Sequence, residues 1–175
     1  MKYFTLSNDL TIARIILVPV FILSLLANNK WLSISIFSFC ILTDFLDGLF
    51  ARMRGERTKL GSFLDPLADK LLLISSFIVL TILNKIPVWI LVVVITKDFI
   101  VFLGWGLRYH IIRNSKVSPT IFGKISTVLE MSVVLLILLN TPKNILIPIM
   151  YLMLISIITS IFTYIIPGVR EIEKK

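Results

Sequence analysis

A chain of 175 residues that is 57% hydrophobic and only 16% charged, with a mean hydropathy of +0.97, lacks the polar residues to cover a water-exposed surface. That excludes a soluble nucleic-acid binder, so the net charge of +8 is read as the cytoplasmic-side bias of a membrane protein meeting anionic lipid. The single cysteine, Cys40, sits in an apolar run as a packing thiol, which excludes an internal disulfide and a cysteine-built zinc site.

The first residues, Met1 to Asp9, lack the basic, apolar and small-residue pattern of a removable signal peptide. The apolar segment that follows is therefore expected to stay in the membrane. A span needs roughly 17–25 mostly apolar residues. Six segments meet this, some only by accepting polar residues: Leu10–Ala27, Trp31–Phe50, Pro66–Leu83, Val88–Tyr109, Lys124–Leu139 and Ile145–Ile166. Three short polar breaks carry turn residues: Asn28-Asn29-Lys30, Asn84-Lys85 before Pro87, and Asn140 to Asn144 around Pro142. Two longer basic breaks, Ala51–Asp65 and Ile111–Gly123, separate the remaining spans.

Each short break holds one lysine, Lys30, Lys85 or Lys143, and the other fifteen of the eighteen basic residues fall on the opposite side or within the spans. By the positive-inside rule both termini and both long breaks are cytoplasmic. The expectation is an all-α integral membrane protein of six transmembrane helices, a single domain over residues 1–175, in the inner or cytoplasmic membrane. Trp31 and Trp89 are placed for the interfacial aromatic belt, and the end Arg170–Lys175 reads as a solvated tail.

Ionisable residues within membrane helices are costly and face the bundle interior or a water-filled cavity. The dense cluster is Asp44, Asp47, Asp65 and Asp69, with Arg52 between them. Asp44 and Asp47, three apart at the end of the second span, share a helix face that Gly48 and Ala51 continue. Asp65 and Asp69, four apart at the start of the third span, share another, and Pro66 suits a first helical turn there. Two helices joined by a short loop are expected to be antiparallel neighbours, which brings four carboxylates together at the cytoplasmic edge.

Four close carboxylates repel one another unless cations intervene. Hard divalent ions suit oxygen-only sites, and two of them about 3.5–4 Å apart clamp the oxygens of a phosphoryl transfer. The chemistry points to a diphosphate substrate, with the small residues Gly48, Ala51 and Gly61 allowing close approach. The plainer alternative is that the acids cap helices and pair with Arg52, Arg54, Arg57 and Lys59. Four acids on paired faces beside three small residues weigh against it.

The pattern Asp44-x₂-Asp47-Gly48-x₂-Ala51-Arg52-x₈-Gly61-x₃-Asp65-x₃-Asp69 resembles, at every fixed position and spacer, the signature of the CDP-alcohol phosphatidyltransferases. Asn8-x-Leu10-Thr11-x₂-Arg14-x₄-Pro19 is similar to the N-terminal segment of bacterial members. The resemblance implies that Asp44, Asp47, Asp65 and Asp69 hold two Mg²⁺ or Mn²⁺ ions. It implies Asp69 as general base, with Asp44, Gly48, Ala51, Arg52, Gly61 and Asp65 around CDP-diacylglycerol. It also implies a homodimer.

Basic residues Arg108, Arg113 and Lys124 suit an anionic acceptor, and in members that use glycerol 3-phosphate such residues hold the acceptor phosphate. Phosphatidylglycerophosphate synthase is therefore the expected activity. There are departures. Lys97-Asp98 stands where bacterial members of that type often carry Arg-Glu, and Ser118-Pro119-Thr120-x₂-Gly123-Lys124-x₂-Thr127 resembles the CMP-forming cardiolipin synthases, which use phosphatidylglycerol. Lys97-Asp98 also reads as a buried ion pair, and Glu130 as the partner of a cation or a dimer contact. A cation transporter is the non-enzyme alternative. It would place acids near the midplane within internal repeats, and no repeat is visible.

Overall fold

The computed structural model describes residues 6–54, 61–111 and 121–173, with side chains described within 10–46, 67–103 and 121–163. The described residues form six helices: α1 (Leu6–Leu26), α2 (Lys30–Arg54), α3 (Gly61–Ile82), α4 (Val88–Ile111), α5 (Ile121–Leu138) and α6 (Lys143–Glu173). Each expected span coincides with one helix. Most helices run further than the apolar windows, because a helix continues through polar residues once it is nucleated, and Arg, Met and Glu are good helix formers. Two expectations change as a result, and one end gains detail. The break after the second span narrows, since α2 runs to Arg54 and α3 starts at Gly61. Pro66 then falls in the second turn of α3, where it removes one ladder bond. The tail is helical to Glu173.

The three short breaks share one closure. Asn28, Asn84 and Asn140 adopt φ of 53°, 55° and 59°, the left-handed region that Asn tolerates better than most residues. Around Asn28, the Asn29 N–H donates to the Ser24 carbonyl at 2.9 Å and the Asn28 N–H to the Leu25 carbonyl at 3.0 Å. The same pair of bonds recurs at Lys85→Leu80 with Asn84→Thr81, and at Thr141→Leu136 with Asn140→Ile137. This two-bond Schellman closure satisfies carbonyls that a helix end would otherwise leave without partners.

The chain divides into two compact units. The first comprises Met1–Ile86 with Ile137–Asn140, and in it α1 packs on α2 and α3. Thr11, Arg14, Val18, Phe21 and Leu25 are buried at spacings of three and four, so they form one face of α1. Phe21 stacks on Phe37 of α2 at 5.5 Å between ring centroids. Ser24 and Ser33 hydrogen-bond at 2.9 Å, and Arg14 reaches Asp44, so α1 and α2 run antiparallel over about three turns. From α3 come Leu72, Leu73, Phe77 and Leu80. The second unit comprises Pro87–Leu136 with Thr141–Lys175; α4 packs on α6, and Ile90, Val94, Val133, Met153 and Ile157 are buried.

The outward faces are as apolar as the inward ones. Ile12, Ile16, Val20 and Leu23 on α1, and Leu152, Ile155, Ile158 and Phe162 on α6, are exposed. Helices that are apolar all round belong in lipid, where such a face costs nothing. Among the described residues, Ile121–Leu138 and Lys143–Thr163 are long and apolar enough to cross a membrane, and Leu10–Leu26 is a shorter apolar stretch. The chain is a membrane protein. Trp31 and Trp89 are exposed at the starts of α2 and α4, with the Lys30 ammonium 6.0 Å from the Trp31 ring.

The left-handed asparagines give a direct test. Asn84→Val is expected to lower the thermal unfolding temperature in detergent, because a β-branched residue in that region costs about 1–2 kcal/mol. Asn84→Gly should match or exceed the wild type. Equal stability of the Val and Gly variants would contradict the closure.

Candidate active site

Arg14 is the centre of the polar site in the first unit. It lies on the buried face of α1 and is 1% exposed. Its Nη1 donates to Asp44 Oδ1 at 3.1 Å and to Asp69 Oδ1 at 2.8 Å. One guanidinium on α1 therefore holds an acid of α2 and an acid of α3. Guanidinium is always charged and carries a planar fork of donors, which suits it to bridging two carboxylates.

The local sequence explains how the three groups meet. Val18, Phe21 and Leu25 turn the same face of α1 inward, so Arg14 must be buried with them. A charge there without partners would cost several kcal/mol. Asp44 follows Ile36, Phe37, Cys40 and Thr43 on the buried side of α2, and Asp69 sits beside the fully buried Ala68 on α3. Both acids keep some exposure, 35% for Asp44 and 23% for Asp69, against 1% for Arg14. The pairs are thus half-open, and a ligand can reach the carboxylates while the guanidinium stays sealed behind them.

Of the residues expected at the site, Asp44 and Asp69 are brought together, 30 and 55 residues from the arginine that joins them. The backbones of Asp47, Gly48, Ala51 and Arg52 continue α2, and those of Gly61 and Asp65 belong to α3. Their side chains lie outside the described residues. So does the side chain of Arg108 on α4, and Arg113 lies outside the description entirely. Lys124 is exposed in the first turn of α5.

Among the described residues, no group of three or more His, Cys, Asp or Glu could hold a metal ion; Asp44 and Asp69 are the two acids of the signature whose side chains are described. The donor chemistry nevertheless fits a hard divalent cation: the available atoms are carboxylate oxygens, partly open, on two adjacent helices. Arg14 already supplies one positive charge to that pair.

Arg14 was legible only in part. It stands in the N-terminal motif but carries no assigned role on sequence grounds; the available signal was an arginine within an otherwise apolar helix, in step with Val18, Phe21 and Leu25. A second buried ionic group lies in the other unit. Lys97 Nζ is 2.5 Å from Glu130 Oε1 and 3.2 Å from Asp98 Oδ1. Lys97-Asp98 is thus an ion pair as one reading of the sequence had it, and of the two readings of Glu130 the structure supplies the cation partner.

With this geometry in place, comparison with known proteins supplies the family. The CDP-alcohol phosphatidyltransferase model matches residues 4–164, so the chain belongs to that family. It is 35% identical over 131 residues to a protein of Mycobacterium tuberculosis (strain ATCC 25618 / H37Rv) named probable phosphatidylglycerophosphate synthase, covering 71% of this chain and 61% of the relative. It is 33% identical over 153 residues to the Bacillus subtilis (strain 168) CDP-diacylglycerol--glycerol-3-phosphate 3-phosphatidyltransferase, covering 78% of each. It is also 30% identical over 146 residues to the Homo sapiens cardiolipin synthase (CMP-forming), covering 74% of this chain and 48% of that protein. The chain therefore spans less than two thirds of the mycobacterial relative and about half of the human one.

Arg14→Gln should lower the unfolding temperature by roughly 6–20 °C, from about 3–5 kcal/mol for removing the buried partner of an ion pair at about 2–4 °C per kcal/mol. Arg14→Lys should recover part of the loss. Wild-type stability of the glutamine variant would contradict the bridging role.

Proposed function

We propose that the chain is a phosphatidylglycerophosphate synthase: it transfers the phosphatidyl group of CDP-diacylglycerol to sn-glycerol 3-phosphate and releases CMP. The observation that carries this is the Arg14–Asp44–Asp69 bridge, which joins acids from both halves of the intact signature at one point. The names of the mycobacterial and Bacillus relatives support the choice of acceptor. The acceptor hydroxyl forms a bond to the β-phosphorus of CDP-diacylglycerol, the bond from that phosphorus to the CMP oxygen breaks, and the hydroxyl proton passes to Asp69. Asp69 acts as base mainly through position, within hydrogen-bond reach of the proton it removes.

Gly48, Ala51, Arg52 and Gly61, with Asp44 and Asp65, form the nucleotide-binding surface in this reading. Asp44, Asp47, Asp65 and Asp69 would hold two Mg²⁺ or Mn²⁺ ions. Such ions, when bound, offset the diphosphate charge and stabilise the leaving CMP. Arg14 fixes the carboxylates of Asp44 and Asp69 against the α1 face. Arg108, Arg113 and Lys124 bind the acceptor phosphate.

The remaining elements follow the same reading. The chain forms one domain of six spans, a homodimer in the lipid of the inner or cytoplasmic membrane, with termini and active site on the cytoplasmic side. The distribution of lysine and arginine supports that orientation, since each break closed by a left-handed asparagine holds a single lysine.

The test is CMP release by purified protein with Mg²⁺ and CDP-diacylglycerol, offering glycerol 3-phosphate, phosphatidylglycerol, serine or inositol phosphate, each with an EDTA control. Release with glycerol 3-phosphate alone is expected. Release with phosphatidylglycerol alone would replace this reading with cardiolipin synthesis, the activity in the human relative's name. Asp44→Asn, Asp47→Asn and Asp65→Asn should nearly abolish turnover; Asp69→Asn should lose turnover yet still bind CDP-diacylglycerol.

A further inference from the structure

The buried ionic group of the second unit takes no part in the chemistry above. Lys97 lies mid-way along α4 and Glu130 mid-way along α5, with side-chain exposures of 3% and 0%; Asp98 is 9% exposed. Around them the two helices are mostly Val, Ile, Leu and Phe, with Thr96 on α4 and Ser126, Thr127 and Ser132 on α5. Helices packed in lipid gain no hydrophobic energy from choosing one register over another, so apolar faces of this kind leave sliding weakly opposed. A buried lysine and glutamate oppose it strongly, because displacement separates two charges in a low-dielectric medium.

The two helices joined there also carry the proposed acceptor ligands. Arg108 follows Lys97 by eleven residues, about three turns along α4 and within about 20° of the same face. Lys124 precedes Glu130 by six residues on α5. A slip of one turn between the helices would move Arg108 relative to Lys124 by about 5.4 Å. A charge-assisted hydrogen bond to phosphate requires about 2.8 Å, so that slip would leave one of the two out of reach.

We propose that Lys97, Asp98 and Glu130 form an ionic clamp that fixes the register of α4 against α5 and so sets the acceptor-binding positions of Arg108 and Lys124. The three are positioning residues and do not touch the acceptor. This rests on the assignment of an anionic acceptor to Arg108 and Lys124. The clamp gives three buried ionisable residues a role at a link between α4 and α5, where apolar side chains of similar volume would often be as stable.

The experiment compares steady-state kinetics of the full-length wild type, Glu130→Gln, Lys97→Met, the charge swap K97E/E130K, and Arg108→Ala. KM is measured separately for glycerol 3-phosphate and for CDP-diacylglycerol. Glu130→Gln and Lys97→Met should raise the acceptor KM by about tenfold while leaving the CDP-diacylglycerol KM within about twofold. The charge swap, which rebuilds the 97–130 pair in reverse but sets Asp98 beside a second carboxylate, should bring the acceptor KM part of the way back to the wild type. A purely structural role would lower the amount of active protein and leave both KM values in place. If Lys97→Met does not fold, the nearly isosteric Glu130→Gln decides the matter. A wild-type acceptor KM in Glu130→Gln, with Arg108→Ala shifted, overturns the clamp alone. Both variants unshifted overturn the acceptor assignment as well. A folded swap variant as impaired as the single variants also overturns the clamp.

Discussion

One guanidinium organises the first half of this protein. Arg14 is placed on the inward face of an apolar helix by the same three-and-four spacing that buries Val18, Phe21 and Leu25. A charge in that position must find opposite charge, and the acids it finds belong to two different helices. The bridge fixes α2 and α3 against α1 at the point where the chemistry is proposed to occur. It also explains why the acids tolerate one another. Asp44 and Asp69 share the guanidinium of Arg14, which offsets part of their mutual repulsion.

The second unit repeats the principle with other residues. Lys97 on α4 meets Glu130 on α5, and the surrounding surfaces are apolar. In both units the packing of large hydrophobic side chains supplies bulk contact, and a buried ion pair supplies register. That division of labour suits a lipid-embedded chain, in which the outward faces are also apolar and hydrophobicity alone distinguishes inside from outside poorly. The helix ends are handled by backbone: three left-handed asparagines close α1, α3 and α5 with the same pair of hydrogen bonds.

The sequence made the helix count and the short turns legible, and marked Asp44 and Asp69 as acids of one site, because each rests on local rules. Apolar runs long enough to span, Asn-rich breaks, and carboxylates three or four apart on a helix face are all visible in one dimension. Helix ends were less so: hydrophobicity marks where lipid would stop, and α2, α3 and α6 continue past that point, taking Pro66 into a second turn and the tail into α6. The role of Arg14 was hidden because it depends on contacts 30 and 55 residues away. Lys97-Asp98 read as a buried ion pair, but its further partner Glu130 lies 33 residues away and only the fold shows it. Local pattern shows that a charge is buried; only the fold shows which partner satisfies it.

In the proposed mechanism the acids gathered by Arg14 belong to a divalent-cation site serving a diphosphate substrate. The most direct measurement is electron paramagnetic resonance of Mn²⁺ titrated into purified protein, with and without CDP-diacylglycerol, beside Asp44→Asn. About two ions per chain are expected in the presence of CDP-diacylglycerol, with a clear loss of binding in the variant. Binding no greater than the detergent background, or binding unchanged in Asp44→Asn, would contradict it.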